Sequence, residues 1–254
     1  MARLEWRRLV EDIVVPNLSE RVMMPELMDS DATDLDTFRA CLVDLAIVNQ
    51  LTLAYRPTFS FLNRLADSGR LPKRRPVVIA DIGSGYGDML RKIDRWAERR
   101  GIAVKLTGVD LNPWSARSAE EATVKGRPIH WVTANVFDYR PAERPDIVIS
   151  ALFTHHLDAS SLVRFIAWME ANATTAWFVN DLHRHPIPYH LFRFVSRALR
   201  FHYFVQHDGP VSIARAFTLA DWQRALASAG VPVGAADVRW YFPFRLCVER
   251  QRNP

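Results

Sequence analysis

The feature that most constrains the fold of this chain is an apolar run followed directly by three alternate glycines, Val77-Val-Ile-Ala-Asp-Ile-Gly-Ser-Gly-Tyr-Gly-Asp88. The β-branched residues at its start are typical of a buried strand. The glycines Gly83, Gly85 and Gly87 allow a tight turn that no side chain crowds. Apolar residues then recur at helical spacing, at Met89, Leu90, Ile93 and Trp96. The segment predicts a strand, a glycine turn and a helix, the unit that binds nucleotide cofactors in doubly wound α/β sheets.

Two acidic residues of this segment indicate which class of cofactor it fits. A dinucleotide-binding fingerprint would place its third glycine at position 88, where this chain has Asp88. Such a fingerprint also rarely has an acid just before its first glycine, where Asp81 stands here. The pattern therefore argues against a nicotinamide-dependent oxidoreductase.

Four later segments continue the alternation of strands and helices. Gly108-Val-Asp110-Leu-Asn112 predicts the end of a second strand, and Ala134 to Asp138 predicts a turn after a third. Pro145 to Ser150 and Ala176 to Asp181 predict a fourth and a fifth strand. Regular alternation of this kind favours a parallel sheet with right-handed crossovers.

With its acidic glycine turn and these segments in this order, the stretch from about residue 75 to 250 resembles the class I S-adenosylmethionine-dependent methyltransferases, whose signature is E/DxGxGxG. The resemblance implies a doubly wound, mostly parallel seven-stranded sheet of the Rossmann-like methyltransferase type. It also implies S-adenosyl-L-methionine as the cofactor. The predicted organisation is an N-terminal helical extension at 1–72 and a methyltransferase domain at 73–254, with a cap inserted after strand 5 at 183–209. One helix is expected within the cap, near 189–199.

The resemblance implies roles for the residues that follow the first three strands. The glycines would line the methionine part of the cofactor, Asp81 would bond its amino group, and Asp110 would bind its ribose. Asn135, where the family usually has Asp, would meet adenine through its side-chain carbonyl. Asp81 could instead only order the glycine turn. The predicted cofactor-binding residues are Asp81, Gly83, Ser84, Gly85, Gly87, Asp110, Leu111, Asn135, Val136 and Phe137.

Histidines follow the fourth and fifth strands, and both segments should reach the crevice at the carboxyl ends of the strands. A positioned histidine accelerates proton transfer, and a neighbouring carboxylate fixes its tautomer. The predicted catalytic residues are His155, His156, Asp181 and His183. The predicted substrate-binding residues are His185, His190, Phe194, His207 and Tyr55. No metal site is predicted, because a His-x-His pair in a proline-containing loop without nearby cysteine is a weak metal pattern.

The expected activity is transfer of a methyl group to a hydroxyl of a small aromatic or polyketide-like molecule. Methylation of carbon or nitrogen in a similar molecule is the first alternative, because the cofactor residues would be the same. A non-catalytic partner protein that keeps this fold is the second, and it would have lost the open pocket.

Composition excludes several other classes of protein. The chain of 254 residues is 49% hydrophobic and 24% charged, as in ordinary globular domains. Its net charge of +5 is spread along the chain, so a nucleic-acid partner is not expected. No signal peptide or membrane-spanning run is found, which predicts a cytoplasmic protein without membrane insertion. Cys41 and Cys247 are expected to be buried thiols, and formation of a homodimer is left open.

Overall fold

The computed structural model describes residues 16–27 and 35–252, so parts of the predicted N-terminal extension, at 1–15 and 28–34, lie outside the described residues. Seven strands are found, β1 (Val77–Ile82), β2 (Val104–Asp110), β3 (Ile129–Thr133), β4 (Ile147–Ala151), β5 (Ala176–Leu182), β6 (Ala236–Tyr241) and β7 (Arg245–Gln251). The α-helices are α1 (Leu35–Leu51), α2 (Arg56–Asp67), α3 (Asp88–Arg99), α4 (Pro113–Glu121), α5 (Ala159–Asn172), α6 (Pro186–Ala198), α7 (Tyr203–Arg215) and α8 (Leu219–Ser228).

The strands form one sheet in the order β3-β2-β1-β4-β5-β7-β6. Pairs among β1 to β5 are parallel, whereas β7 is antiparallel to both β5 and β6. The sheet confirms the predicted mostly parallel, seven-stranded architecture. Because the order reverses beside β1, a crevice opens outside the carboxyl ends of β1 and β4, which is where doubly wound sheets bind their ligands.

Both faces of the sheet are covered, as the continuous apolar strands require. On β5 the side chains alternate, so that Trp177 packs with the α5 and α8 layer and Phe178 packs with the opposite layer. Helix α2 belongs to that second layer, where Phe61 stacks on Phe178 at 4.6 Å between ring centroids. The end of the N-terminal extension is therefore part of the main core.

The cap after β5 is longer than predicted. It holds two helices, α6 and α7, and ends at Arg215 instead of position 209. Glycine followed by proline is a pair typical of turns, but helix α7 continues through Gly209 and Pro210. A Cβ atom at Gly209 would lie 2.0 Å from the Phe192 ring. The glycine therefore allows α6 to pack closely on α7, and it does not form a turn.

Two expectations from composition can be compared with the structure. Cys41 and Cys247 are free, buried thiols, as predicted. Within the described part of the chain, none of the helices combines the length and the apolar character needed to cross a bilayer.

Candidate active site

A cavity of about 830 Å³ lies at the carboxyl ends of β1, β2 and β4. The glycine turn forms one side of it. Helix α1 and the cap helices α6 and α7 form the other side, and a short 3₁₀ helix, Thr154–His156, joins the two halves. Residues from the N-terminal segment, the sheet and the cap thus meet in one enclosed space.

The three glycines of the turn have distinct roles. All three have positive φ angles, which favour glycine over other residues. A Cβ atom at Gly85 would meet nothing within 4 Å, whereas one at Gly87 would lie 2.1 Å from the Trp131 ring and one at Gly83 would lie 2.6 Å from Phe153. Gly83 and Gly85 line the cavity, while Gly87 packs beneath the turn. The prediction that Gly87 contacts the cofactor is corrected accordingly, because the indole of Trp131 occupies the space beside it.

The side chain of Asp110, at the end of β2, orders the glycine turn. Its Oδ2 accepts a hydrogen bond of 2.8 Å from the Gly85 N–H, and its Oδ1 accepts one of 2.9 Å from the Asn112 N–H. Burial raises the pKa of this carboxyl, and the two backbone hydrogen bonds only partly offset that effect. Each carboxylate oxygen has a second lone pair, so the side chain can still accept from the hydroxyls of a bound ligand.

Asp81, at the end of β1, is the most constrained acid of the site. The residue is only 2% exposed, and among the described residues its Oδ1 has no hydrogen-bond partner. Burial raises the pKa of its carboxyl well above the usual value, and the nearby charges of Asp88 and Asp110 raise it further. A buried acceptor without a donor is costly, and a cationic ligand in the cavity would remove that cost.

The remaining predicted cofactor residues also line the cavity: Ser84, Leu111, Asn135, Val136 and Phe137. The Asn135 Oδ1 already accepts a hydrogen bond of 3.0 Å from the Phe137 N–H, which shapes the turn after β3. That oxygen keeps a second lone pair for an adenine amino group.

His155 is locked between the ends of β4 and β5. Its Nδ1–H donates to Asp181 Oδ1 at 2.7 Å, and its backbone N–H donates to Asp181 Oδ2 at 3.0 Å. The Thr154 hydroxyl donates to the same Oδ2. Burial alone would raise the pKa of the Asp181 carboxyl, but the His155 imidazole and these hydrogen bonds hold it well below its usual value. The sequence prediction that Asp181 orients a histidine of this segment is consistent with the geometry.

Glu26 brings a carboxylate to both histidines, and sequence reasoning did not find it. Its Oε1 lies 3.8 Å from His155 Nε2, and its Oε2 lies 3.8 Å from His156 Nε2. The Ser212 hydroxyl of helix α7 donates to Oε1 at 2.9 Å. These contacts join positions more than 120 residues apart, and no periodicity or motif around Glu26 marks it.

Two arginines hold the histidine segment from the cap side. The Arg215 guanidinium donates to the backbone carbonyls of His155 and His156, each at 3.2 Å. The Arg21 guanidinium donates to the carbonyls of His155, at 3.2 Å, and Leu157, at 2.8 Å. Both arginines serve to fix the backbone that carries the two imidazoles.

The ligand atoms of Glu26, His155 and His156 lie within 4.8 Å of one another, a spacing compatible with a metal ion. Arg215 Nη1, however, is 3.7 Å from Glu26 Oε1 and already places a positive charge beside this carboxylate. The cluster therefore offers carboxylate and imidazole atoms to a ligand in the cavity, and the absence of a metal site stays a prediction.

His183 and Tyr55 line the cavity away from this cluster. The His183 backbone N–H donates to the Phe244 carbonyl at 3.0 Å, and burial lowers the pKa of its imidazole. The Tyr55 hydroxyl donates to Asp88, and burial together with that carboxylate raises the pKa of the phenol. Tyr55 therefore supports the glycine-turn side of the cavity and not the acceptor side.

Four predicted substrate residues are not among those that line the cavity. His185 accepts the Ile187 N–H and caps helix α6, and the imidazole of His207 bonds its neighbour Asp208. His190 and Phe194 lie on the solvent side of α6, where Phe194 is 72% exposed. Their assignment as substrate contacts is corrected, because the helix turns its other face, with Phe192 and Val195, to the cavity.

This arrangement can hold a cationic nucleoside ligand on one side and a second reactant on the other. The open space over Gly85 and the unpartnered Asp81 oxygen fit the methionine end of S-adenosylmethionine, and Asp110 fits its ribose. The histidine and glutamate cluster then faces the remaining volume.

Comparison with known proteins places part of the sequence in a known domain family. Residues 79–172 match a family model described as a methyltransferase domain. No curated protein matches the sequence.

Solved structures resemble the whole chain at low sequence identity. The plantazolicin methyltransferase BpumL, in complex with SAH, has a TM-score of 0.63 at 13% identity, over 89% of this chain and 93% of that one. Magnesium protoporphyrin IX methyltransferase from Synechocystis, with bound SAH, has a TM-score of 0.53 at 15% identity, over 78% and 83%. A putative O-methyltransferase from Nostoc punctiforme has a TM-score of 0.56 at 14% identity, over 85% and 60%.

The cofactor of this fold is S-adenosylmethionine, and structures similar to this one contain it or SAH. The matched domain spans residues 79–172, and the strand order and the similar solved structures show that this chain has the Rossmann-like methyltransferase fold.

Proposed function

We propose that this protein methylates a hydroxyl group of a small aromatic or polyketide-like molecule. The observation that carries the proposal is the cluster of Glu26, His155 and His156, which faces the same cavity as the glycine turn. Methylation of a hydroxyl releases a proton, and a histidine positioned beside the acceptor can take it. Transfer to a neutral amine depends less on a base, so this cluster favours an acceptor such as a hydroxyl that must lose a proton.

On the donor side, the bound cofactor supplies a methyl group activated on a sulfonium sulfur. Asp81 would accept from the methionine ammonium, Gly85 would leave room for the methionine chain, and Asp110 would accept from the ribose hydroxyls. Asn135 and Phe137 would hold the adenine. These residues act by orienting the donor and by excluding water from it, which are the main contributions that a protein makes to methyl transfer.

We assign the proton acceptor to His156. Its side chain keeps 27% of its surface exposed, whereas the His155 side chain keeps only 4% and is enclosed by Asp181 and Glu26. The His156 imidazole therefore presents more surface to an acceptor than the His155 imidazole does. As the acceptor oxygen bonds the methyl carbon and the carbon–sulfur bond breaks, the hydroxyl proton passes to the His156 imidazole.

In this proposal His155 and Asp181 are positioning residues. The Asp181 carboxylate holds the His155 ring in one orientation, and the two imidazoles lie 4.4 Å apart between centroids. Glu26 lies opposite both Nε2 atoms, at 3.8 Å from each. Together these contacts fix where the His156 imidazole lies in the cavity.

The acceptor half of the cavity is mostly apolar, which supports an aromatic or polyketide-like ligand with few charges. Its walls come from the predicted N-terminal extension and the cap. The apolar residues on these walls are Leu42, Leu45, Val48, Phe192, Val195, Phe204 and Val205. The polar cluster then marks where the hydroxyl would lie.

The proposal is tested with the purified protein, S-adenosylmethionine and a panel of phenols and hydroxylated naphthalenes, with the methylated atom identified by NMR. His156→Ala should lower kcat by about 10²- to 10⁴-fold, and binding of the cofactor by calorimetry should not change. His130→Ala, which removes an exposed histidine on β3, is the matched control.

Three outcomes distinguish the alternatives. Full turnover of His156→Ala would remove the base assignment, and a product methylated on carbon or nitrogen would replace the hydroxyl proposal. Turnover that is lost in EDTA and restored by a divalent metal would show that the Glu26 cluster binds an ion. Retained activity in EDTA is expected.

A further inference from the structure

The cap has an outer face that the methyl-transfer chemistry does not use. On helix α6 the exposed apolar side chains Ile187, Leu191 and Phe194 recur at positions i, i+4 and i+7, and Leu199 follows just after the helix. This spacing places the three helical residues along one stripe on the solvent side. Exposed apolar groups in such a row indicate a surface that is covered in use.

The connection between β6 and β7 extends this surface. Trp240 and Phe242 are 51% and 63% exposed. They adjoin helix α6 through Phe244, whose ring centroid lies 6.0 Å from that of Trp240 and 5.5 Å from that of His185, the residue that caps the helix. We call the resulting surface the cap face, and it consists of Ile187, Leu191, Phe194, Leu199, Trp240 and Phe242.

Within the cap segment from His183 to His207 the formal charge has one sign. From His183 to His207 the sequence contains no aspartate or glutamate, but it contains four arginines and five histidines. Arg184 is buried beneath the cap, whereas Arg197 and Arg200 are exposed at the C-terminal end of α6. An apolar stripe with arginines beside it matches a partner that is apolar inside and negatively charged at its surface.

The neighbouring side of the same helix lines the cavity. Pro188, Phe192 and Val195 face the cavity from α6, each one position after a residue of the exposed stripe. Leu191 both lines the cavity and remains 55% exposed. Leu191 therefore lies at the boundary between the cavity and the outer surface of the cap.

We propose that the cap face docks onto an anionic lipid surface, with helix α6 lying in the plane of the headgroups and the acceptor entering past Leu191. Large aromatic side chains such as Trp240 are favoured at this depth of a bilayer, and arginines contact the lipid phosphates. A helix surface of exposed apolar side chains with arginines beside them fits an anionic lipid layer, in which apolar groups enter the acyl region and arginines contact the phosphates. The proposal concerns binding alone and does not depend on which atom is methylated.

The test is cosedimentation of the full-length protein with vesicles of phosphatidylglycerol or of phosphatidylcholine, without cofactor or acceptor. Binding should be strong on phosphatidylglycerol at low salt and weak on phosphatidylcholine. The double variant Arg197→Gln/Arg200→Gln should lose about fivefold in partitioning for each arginine. Ile187→Ser/Phe194→Ser should lose about tenfold or more, because two large side chains no longer enter the lipid.

The matched control is Arg117→Gln/Val124→Ser, which removes one exposed arginine and one exposed apolar side chain near helix α4. It should bind vesicles like the wild type, and calorimetric binding of S-adenosylmethionine should be unchanged in every variant if the fold is intact. Equal partitioning of cap and control variants would overturn the proposal. So would binding to soluble polyglutamate but not to vesicles, which would indicate an acidic polypeptide partner. Failure of methyl transfer with intact vesicle binding would affect only the proposed function.

Discussion

Replacing Asp81 by asparagine should stabilise the ligand-free protein and weaken its binding of S-adenosylmethionine. Asp81 is 2% exposed, and its Oδ1 has no partner among the described residues. Burial and the charges of Asp88 and Asp110 raise the pKa of the carboxyl. Because the pKa of this carboxyl is higher in the folded state than in the unfolded state, the folded protein loses stability as the pH rises from the unfolded pKa, near 4, towards the folded pKa. The neutral amide removes this cost of ionisation, so the gain in stability grows by up to about 1.4 kcal/mol for each pH unit between the unfolded and the folded pKa.

The same substitution removes a charge-assisted hydrogen bond to the methionine ammonium, worth about 1.5–3 kcal/mol, which corresponds to about a 10- to 150-fold weaker Kd. Thermal unfolding of the ligand-free variant should therefore begin several degrees higher, at about 2–4 °C per kcal/mol, while titration calorimetry reports the weaker binding. If the wild-type carboxyl ionises when the cofactor binds, calorimetry in buffers of different ionisation enthalpy should also show proton release that the variant lacks. A variant that melts earlier and binds the cofactor normally would refute this account of Asp81.

Four further outcomes follow from the glycine turn, from Asp110 and from Asp181. Gly85→Ala should fold with a stability lower by about 1–2 kcal/mol, because of its positive φ angle, but should bind the cofactor poorly. Gly87→Ala should be strongly destabilised, because its Cβ atom would collide with Trp131. Thermal melts with and without cofactor distinguish the two variants. Asp110→Ala should lose about 2–4 kcal/mol of cofactor binding, from two hydrogen bonds to the ribose, and unchanged affinity by calorimetry would contradict the assignment. The pKa of Asp181 is lower in the folded state than its unfolded value near 4. The Asp181 carboxylate therefore stabilises the fold above about pH 4, and this stabilisation is lost as the pH falls through the folded pKa. Asp181→Asn should make the stability depend less on pH in this range, as measured by acid unfolding followed by circular dichroism.

The donor half of the site could be predicted from the sequence because its signals are local. Strand β1, the glycine turn and Asp110 lie within 34 consecutive positions of the chain, from Val77 to Asp110. Positions with a positive φ angle favour glycine, and buried strands favour apolar and β-branched residues. Even here local reasoning did not distinguish Gly85, which is open to the cavity, from Gly87, which packs on Trp131, because the indole comes from a strand more than 40 residues later.

The acceptor half could be predicted only in part, because its contacts join distant segments. His155 and Asp181 were found since both follow strands of a parallel sheet, whose carboxyl ends meet. Glu26 reaches them from a segment without periodicity, and Ser212, which bonds it, lies 186 residues away. Helix α7 was missed because Gly209-Pro210 is a typical sign of a break, whereas here the glycine admits the Phe192 ring.

The distribution of acids in the cavity suggests how one site can bind its donor and release the used form of it. Glu26, Asp81, Asp88 and Asp110 all line the same space, and the mutual repulsion of three of them contributes to the raised pKa of Asp81. The positive sulfonium and ammonium groups of the donor relieve that repulsion, and the carboxylates attract the donor. After transfer the sulfur is neutral, so one of the two charges that these carboxylates attract is gone while their repulsion remains. The carboxylates therefore favour the donor over its product by electrostatics alone, and the apolar cap and N-terminal helices are left to determine which acceptor enters.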